Sequence, residues 1–323
     1  MYDMLIIGSG PAGMGAAIYG VRAGLSLAVL DRSPISGGQV LTTYEVDNYL
    51  GLPQISGGEI SQKFREHADS LGVNFVTANV TSIEDKKDCK IVHTEEGDYE
   101  AKTLLLATGA THAMLGVKGE MQLAGMGVSY CATCDGAFFR KRTVAVVGGG
   151  DVAVEDAIFL AGLCSKVYLI HRRDSLRAAD SLQKKLMSME NVEILWNCEV
   201  KEIQGEDMVE KILVYHNQDD SQSELEVNGV FIAVGIHPNT ELYQGLVEMD
   251  EQGYVLADES CKTTVDGIYA AGDIRKKALR QIITAVADGA NAVTSTQNYL
   301  IIFVKIYKTV DIISPHMVKN GTS

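Results

Sequence analysis

The run Cys131-Ala132-Thr133-Cys134-Asp135-Gly136 sets two thiols close together with a carboxylate directly behind them. Thiols separated by two residues can close a small ring. On the first turn of a helix the dipole lowers a thiol pKa and favours the reactive thiolate. The chemistry at such a pair is reversible disulfide exchange, with Asp135 as a general acid that delivers a proton during the relay. Other readings stand beside this one. A zinc site needs a second ligand pair, and the sequence has no other close Cys or Cys/His pair, so no metal is expected. The two cysteines could be coincidental core residues, and Asp135 a surface helix cap. Phe138, Phe139 and Arg140 are either core aromatics followed by a base or part of a docking surface beside the pair.

Two copies of one strand–turn–helix unit must position this chemistry. The first is an apolar strand, Met4-Leu5-Ile6-Ile7, then Gly8-Ser9-Gly10-Pro11-Ala12-Gly13, then a small-residue helix to Gly24 and a second strand ending at Asp31. Gly8 permits the tight turn, Gly10 lets the backbone approach a pyrophosphate, and Gly13 lets helix and strand pack closely. The helix N-terminus offers free N–H groups to the anion, and Asp31 is placed to accept hydrogen bonds from a ribose. The unit recurs 140 residues later, with strand Val144–Val147 and turn Gly148-Gly149-Gly150-Asp151-Val152-Ala153. Gly8 maps onto Gly148, Gly10 onto Gly150 and Gly13 onto Ala153, while Asp31 maps onto His171 in His171-Arg172-Arg173-Asp174.

That exchange separates the two sites. A carboxylate suits a free 2′-hydroxyl, whereas a 2′-phosphate repels it and needs cations, for which arginine offers planar, multidentate donors. The first unit is therefore expected to hold FAD or NAD and the second NADPH, with Arg172, Arg173 and Arg177 reading the phosphate. In isolation those arginines also read as a solvated basic helix start. Two dinucleotide sites in one chain imply electron traffic between cofactors, so one of them should be a flavin.

Composition agrees with a folded protein that holds these units. The 323 residues are 46% hydrophobic and 22% charged, which leaves ample apolar material to bury and argues against disorder. Two domains are the natural expectation at this length. A net charge of -14 speaks against a nucleic-acid partner, which demands clustered cationic surface. The six cysteines are scattered apart from the one pair, which fits a reducing compartment rather than a disulfide framework. The chain opens directly into a strand without a leader pattern, and Tyr299 to Ile313 is broken by Lys305, Lys308 and Asp311, so no membrane span is expected. The expected location is cytoplasmic.

The ordered set of motifs resembles the bacterial-type, low-molecular-weight thioredoxin reductases, from about residue 3 to about residue 299. Besides the two glycine turns and the cysteine motif, it includes Gly37-Gly38-Gln39, Glu45-Val46-Asp47-Asn48-Tyr49, Ala107-Thr108-Gly109, His171 to Ala178, Ala270-Ala271-Gly272-Asp273 and Leu279-Arg280-Gln281. The resemblance implies an α/β fold of two Rossmann-like three-layer domains, the NADPH domain inserted into a discontinuous FAD domain. Residues 1–112 and 241–323 would form the FAD domain, and residues 113–240 the NADPH domain carrying the cysteine pair.

The FAD site implied comprises Gly8, Ser9, Gly10, Pro11, Ala12, Gly13, Asp31, Arg32, Gly38, Gln39, Thr43, Asn48, Thr108, Gly109, Gly272, Asp273, Arg280, Gln281 and Ile282. The NADPH site comprises Gly148, Gly150, Asp151, Val152, Ala153, His171, Arg172, Arg173 and Arg177. Electrons would pass from NADPH to FAD, to Cys131–Cys134 and to oxidised thioredoxin, with rotation of the NADPH domain between half-reactions. A homodimer is implied as well.

Rival functions on this fold are a ferredoxin-driven reductase and a flavin dithiol oxidase, both expected to lack the arginine set. A ferredoxin–NADP reductase would lack the cysteine pair, and a peroxiredoxin-linked reductase would carry an additional N-terminal thiol domain. A non-catalytic flavin redox sensor is the alternative from another class. The stretch from residue 301 goes beyond the family pattern, and Ile301–Ile313 is expected as a longer helix or an extra strand, followed by a polar tail.

Overall fold

A computed structural model describes residues 1–313 except Tyr44 and Lys87, with backbone alone for Thr42 and residues 303–313. The chain forms two compact units. One comprises Met1–Leu41, Ser61–Ala110 and the chain from Pro238 onward, and the other comprises Thr42–Ile60 and Thr111–His237. The stretch 42–60 thus groups with the second unit, whereas the sequence places it in the first domain. It is closed on itself by an antiparallel bridge between Val46 and Ile55.

The first unit begins with β1 (Tyr2–Ile7), α1 (Pro11–Arg22) and β2 (Leu27–Asp31). It continues through α2 (Gly57–Ser70), which joins this unit from Ser61 onward, β3 (Asn74–Thr77), β4 (Val80–Asp85), β5 (Lys90–Thr94) and β6 (Gly97–Leu106). β1 pairs in parallel with β2 and β6, and β2 with β3, while β4, β5 and the first half of β6 form an antiparallel edge. After β7 (Ala110–His112), the second unit runs β8 (Val128–Ser129), α3 (Ala132–Asp135), β9 (Thr143–Gly148), α4 (Asp151–Ala161) and β10 (Lys166–His171). There follow α5 (Asp180–Met187), β11 (Val192–Trp196), β12 (Cys198–Gln204), β13 (Lys211–His216), β14 (Ser221–Glu226) and β15 (Gly229–Ala233). After β16 (Ile236–Pro238) the chain completes the first unit with β17 (Ile268–Ala270) and α6 (Ile282–Ile313).

The duplication read from the glycines is visible in the sheets. The parallel order β3-β2-β1-β6, with β17 on β6, has its counterpart in β11-β10-β9-β15-β8. Strands buried on both faces read as continuous apolar runs, as β1 and β9 do. Alternate residues feed two cores. In the first unit Met4, Ile6 and Leu105 pack with Ala16 and Ala17 of α1 and Val293 of α6, while Leu5, Ile7 and Leu104 pack with Tyr243 and Val255. In the second, Val144 and Val146 pack on Val154 and Leu160 of α4, and Ala145 and Val147 on Val200 and Ile212 of the β12–β14 meander. Each sheet is therefore the middle of three layers.

The small residues of α1 also have a mechanical reason. A Cβ on Gly289 of α6 would lie 2.3 Å from the Ala12 carbonyl oxygen, so the two helices cross backbone to backbone. Ile301–Ile313 continues α6 as helix rather than forming a strand, and the expected polar tail at 314–323 lies outside the described residues.

Candidate active site

The β1–α1 turn separates glycines that the protein needs from one that it leaves open. Gly8 has φ +108°, and a Cβ there would sit 2.4 Å from the Ala107 carbonyl oxygen. A Cβ on Gly13 would approach the Gly8 carbonyl oxygen to 1.9 Å. Around Gly10 a Cβ would meet nothing within 4 Å, so no protein atom explains this glycine, whereas close approach of a ligand does. Gly10 is also the N-cap of α1 and gives the first turn no side-chain acceptor. The N–H groups of such a turn and the positive helix end suit an anion.

Asp31, expected only as a ribose acceptor, also fastens this turn. Its Oδ2 accepts from the Ser9 N–H at 2.6 Å and the Ser9 hydroxyl at 2.7 Å, and its Oδ1 accepts from the Ser33 N–H at 2.9 Å. A cavity of about 370 Å³ opens beside it, lined by Gly8, Asp31, Arg32, Thr108 and Asn239 among others. Asn239 is a site residue that the motifs did not single out. It donates from Nδ2 to the Thr108 carbonyl at 2.9 Å, and Thr108 Oγ1 donates back to the Asn239 carbonyl at 2.6 Å.

The return leg of the same unit adds a second polar group. A Cβ on Gly272 would lie 2.9 Å from Ala12 Cβ, which sets the Gly272–Asp273 turn against the start of α1. Asp273 Oδ1 is buried with no hydrogen-bond partner. Burial pushes its carboxyl up, while Lys277 and Arg280 pull it down. Arg280 lies over the Tyr254 ring at 3.9 Å, and its Nε donates to the Asp273 carbonyl. The Gln281 N–H donates to Thr284 Oγ1 where α6 begins at Ile282. Gly38 approaches the same turn, since its Cβ would stand 3.6 Å from Gly10 Cα, and Gln39 follows it, half-buried. Thr43 and Asn48 lie on the 42–60 stretch, which groups with the other unit. An orphaned buried acceptor beside an open glycine turn suits a ligand that carries both a diphosphate and hydroxyl donors.

The β9–α4 turn repeats the first with different chemistry. A Cβ on Gly148 would meet the Ala233 carbonyl oxygen at 2.4 Å and Ala153 Cβ at 2.6 Å, while a Cβ on Gly150 would meet nothing within 4 Å. Val152 is exposed at the helix start, and Asp151 Oδ1 accepts from the Ala179 N–H at 2.8 Å. His171 takes the register position of Asp31, but its ring turns inward. Its ring is buried against Gly149, where a Cβ would lie 2.2 Å from Cε1, and is hydrogen-bonded to the backbone of Ser175 and Gly148. Burial holds its pKa below the usual value, with Arg177 and Arg173 adding to the depression. His171 therefore braces the turn as a neutral ring. Arg172, Arg173 and Arg177 are exposed and form no ion pair among the described residues.

Cys131 and Cys134 are joined by a disulfide, their Cα atoms 5.3 Å apart. Cys131 is the N-cap of the short α3, and the Cys134 N–H points at its Sγ at 3.2 Å. The turn rests on α4 because Gly136 has no side chain; a Cβ there would reach Leu160 Cδ2 at 2.9 Å. Ser129, absent from the motif reading, organises the polar side of this turn. Its hydroxyl donates to Asp135 Oδ2 at 2.5 Å and accepts from the Cys131 N–H at 3.1 Å. Asp135 Oδ1 is buried without a partner, and burial raises the carboxyl above its ordinary value despite the Ser129 bond.

Upstream, fully buried Glu120 accepts from the N–H groups of Leu115 and Gly116 and from the Tyr130 hydroxyl, which fixes the chain entering Cys131. The paired reading of Phe138 and Phe139 divides. Phe139 is 5% exposed and meets Phe231 edge-on at 5.3 Å, so it is a core residue and not a docking residue. Phe138 and Arg140 are exposed.

Residues 2–289 match the family model described as pyridine nucleotide-disulphide oxidoreductase. The chain is 44% identical over 301 residues to a thioredoxin reductase of Bacillus subtilis, covering 93% of this chain and 95% of that protein. It is likewise 44% identical to a thioredoxin reductase of Listeria innocua, over 93% of this chain and 94% of the other. The crystal structure of thioredoxin reductase from Streptococcus pyogenes superposes with a TM-score of 0.91 at 45% identity, covering 94% of this chain and 99% of that one. The chain belongs to the pyridine nucleotide-disulphide oxidoreductase family and, within it, to the thioredoxin reductases.

Proposed function

We propose that this chain is an NADPH-dependent flavoenzyme that reduces the disulfide of a thioredoxin-like protein through Cys131 and Cys134. The observation that carries the reading is a disulfide set on a helix N-cap with a buried, half-unpartnered carboxyl directly behind it. FAD fits the first unit, where the open Gly10 turn receives the diphosphate and the orphaned Asp273 oxygen receives a ribityl hydroxyl. Arg32, Gly38, Gln39, Thr43, Asn48, Gly109, Arg280, Gln281 and Ile282 complete its surroundings in this reading. NADPH is assigned to the β9–α4 turn, with exposed Arg172, Arg173 and Arg177 available to a 2′-phosphate. Those three arginines also weigh against a ferredoxin-driven enzyme or a dithiol oxidase. Residues 1–112 and 241–323 then serve the flavin, and residues 113–240 the nicotinamide nucleotide and the disulfide.

When bound, the flavin supplies the two-electron step between nicotinamide and disulfide that no side chain provides. The chain's own part is sulfur and proton chemistry. Two electrons and two protons open Cys131–Cys134 to two thiols. One thiolate attacks a sulfur of the partner disulfide, the other thiol displaces it, the ring closes again, and the partner leaves with both thiols reduced. Asp135 holds a proton beside this exchange. Phe138 and Arg140 are the docking candidates that stay on the surface. A homodimer and a cytoplasmic location belong to the same reading. Cys89, Cys164, Cys198 and Cys261 are unbridged, and no helix among the described residues is long and apolar enough to cross a membrane.

The test is anaerobic. NADPH should bleach the yellow protein where NADH does so only feebly, and oxidised thioredoxin should restore the colour. A protein that dithionite bleaches and NADPH does not would overturn the reading. Asp135 adds a pH signature. Its raised carboxyl keeps the proton to higher pH and loses it as pH rises through that value, so disulfide reduction should decline on the alkaline side. Asp135→Asn should slow the dithiol half-reaction by roughly 10²–10⁴-fold and remove that decline. A variant with the parental pH profile would exclude Asp135 as the proton donor.

A further inference from the structure

Behind the Gly272–Asp273 turn the protein buries two cations on one carboxylate. Asp288, in α6, is 5% exposed, Arg275 is 3% exposed, and the Lys277 side chain is 7% exposed. Arg275 donates from Nη2 to Asp288 Oδ1 at 2.9 Å and from Nε to Oδ2 at 3.3 Å. Lys277 Nζ donates to Asp288 Oδ2 at 3.0 Å. The same Oδ2 accepts the Gly272 N–H at 3.0 Å. Arg275 also ties this cluster to the neighbouring loop through the Asp258 carbonyl at 2.8 Å. Glu259 comes within 3.6 Å of Arg275, but its side chain is 94% exposed and water screens it.

Such a cluster is a poor device for stability alone, because well-packed apolar residues of similar volume usually serve at least as well. Its position suggests a different use. Asp288 grips the backbone of Gly272, where φ is +79°, and so fixes the direction in which Asp273 leaves the turn. The Arg275, Lys277 and Asp288 side chains together carry one surplus positive charge. Asp273 is the adjacent buried carboxyl, and its Oδ1 has no protein partner. Burial raises the Asp273 carboxyl and Asp288 adds to the rise, while Lys277 of the same cluster opposes it, and the partnerless Oδ1 is left to a ligand hydroxyl.

We propose that Asp288, with Arg275 and Lys277, is a positioning centre for the flavin site, aiming Asp273 and setting the net charge around the bound cofactor. This rests on the assignment of FAD to the first unit. The surplus charge is then a control on the flavin midpoint potential. Removing a negative group makes the surroundings more positive and favours the electron-rich form, and removing a positive group does the reverse.

The experiment compares purified holoenzyme, Asp288→Asn and Lys277→Met. It measures FAD dissociation by reconstitution of the stripped protein, and midpoint potential by equilibration with reference dyes. Asp288→Asn should weaken FAD by about tenfold or more, the scale of one lost hydrogen bond to a charged group, and shift the potential to a more positive value. Lys277→Met should shift it to a more negative one. Opposite signs are the signature, since general loosening of the fold would not move the two variants apart. Parental affinity and potential in Asp288→Asn, or shifts of the same sign in both, would overturn the proposal. Should Asp288→Asn fail to fold, Lys277→Met alone decides, and an unchanged or more positive potential overturns it. Failure of the parent chain itself to bind FAD would instead refute the flavin assignment beneath it.

Discussion

Cys131→Ser and Cys134→Ser should each retain NADPH-driven bleaching of the flavin and lose thioredoxin reduction by roughly 10³-fold or more, because paired groups that act as one unit fail together. The two halves of this result come from different parts of the molecule. The glycine turns and exposed arginines proposed to serve the cofactors involve neither sulfur. Disulfide exchange needs both, one thiolate to attack and the second to release the mixed disulfide. A single thiol could still form a covalent adduct with the partner, so a trapped complex in one variant would identify the attacking cysteine. Serine is close in size to cysteine, and the Cys134 N–H can still point at an oxygen at position 131. The loss is therefore chemical rather than structural, and an unfolding midpoint matching that of the reduced parent should accompany it. Retained thioredoxin turnover in either variant would break the proposed relay.

What the sequence discloses about this site depends on how local each constraint is. Gly8, Gly13 and Gly148 were legible because each is imposed by atoms of its own turn or of the strand beside it, so the spacing carries the geometry. The duplicated sheet order follows from the same repeat. For His171, position in the repeat locates the end of a strand but not the direction of a side chain. Its ring turns inward over Gly149, leaving the arginines outside. Phe138 and Phe139 lie on a single 3-10 turn, too short for any hydrophobic period to say which ring is buried. Asp288 was illegible because its partners Gly272, Arg275 and Lys277 meet it only through the tertiary fold. The one signal for it is a lone acid in the small-residue run Ala285-Val286-Ala287-Asp288-Gly289-Ala290. Ser129 is equally ordinary in sequence, and only the fold shows that it joins the Cys131 backbone to Asp135.

Replacing Arg172 and Arg173 together by alanine should lower kcat/KM for NADPH by roughly 10²-fold or more while changing that for NADH little. A hydrogen bond to a charged group contributes about 1.5–3 kcal/mol, and each 1.4 kcal/mol corresponds to about tenfold. Both side chains are exposed, so screening by water and salt keeps the expectation at the lower end. Neither guanidinium has an ion-pair partner among the described residues, so removing them strands no buried charge and the fold should keep its stability. The 2′-phosphate is the one group that NADPH has and NADH lacks, and a preference built on it must collapse toward parity when its readers are gone. His171 supplies the internal control. Its ring supports the Gly149 turn that both coenzymes would use, so His171→Ala should weaken NADPH and NADH alike. Salt should also raise the KM for NADPH in the parent and much less in the double variant, since the screened charges are absent there. Equal losses for both coenzymes on removal of the arginines would mean that they shape the loop after β10 rather than read a phosphate, and the choice between coenzymes would have to be sought elsewhere in the second unit.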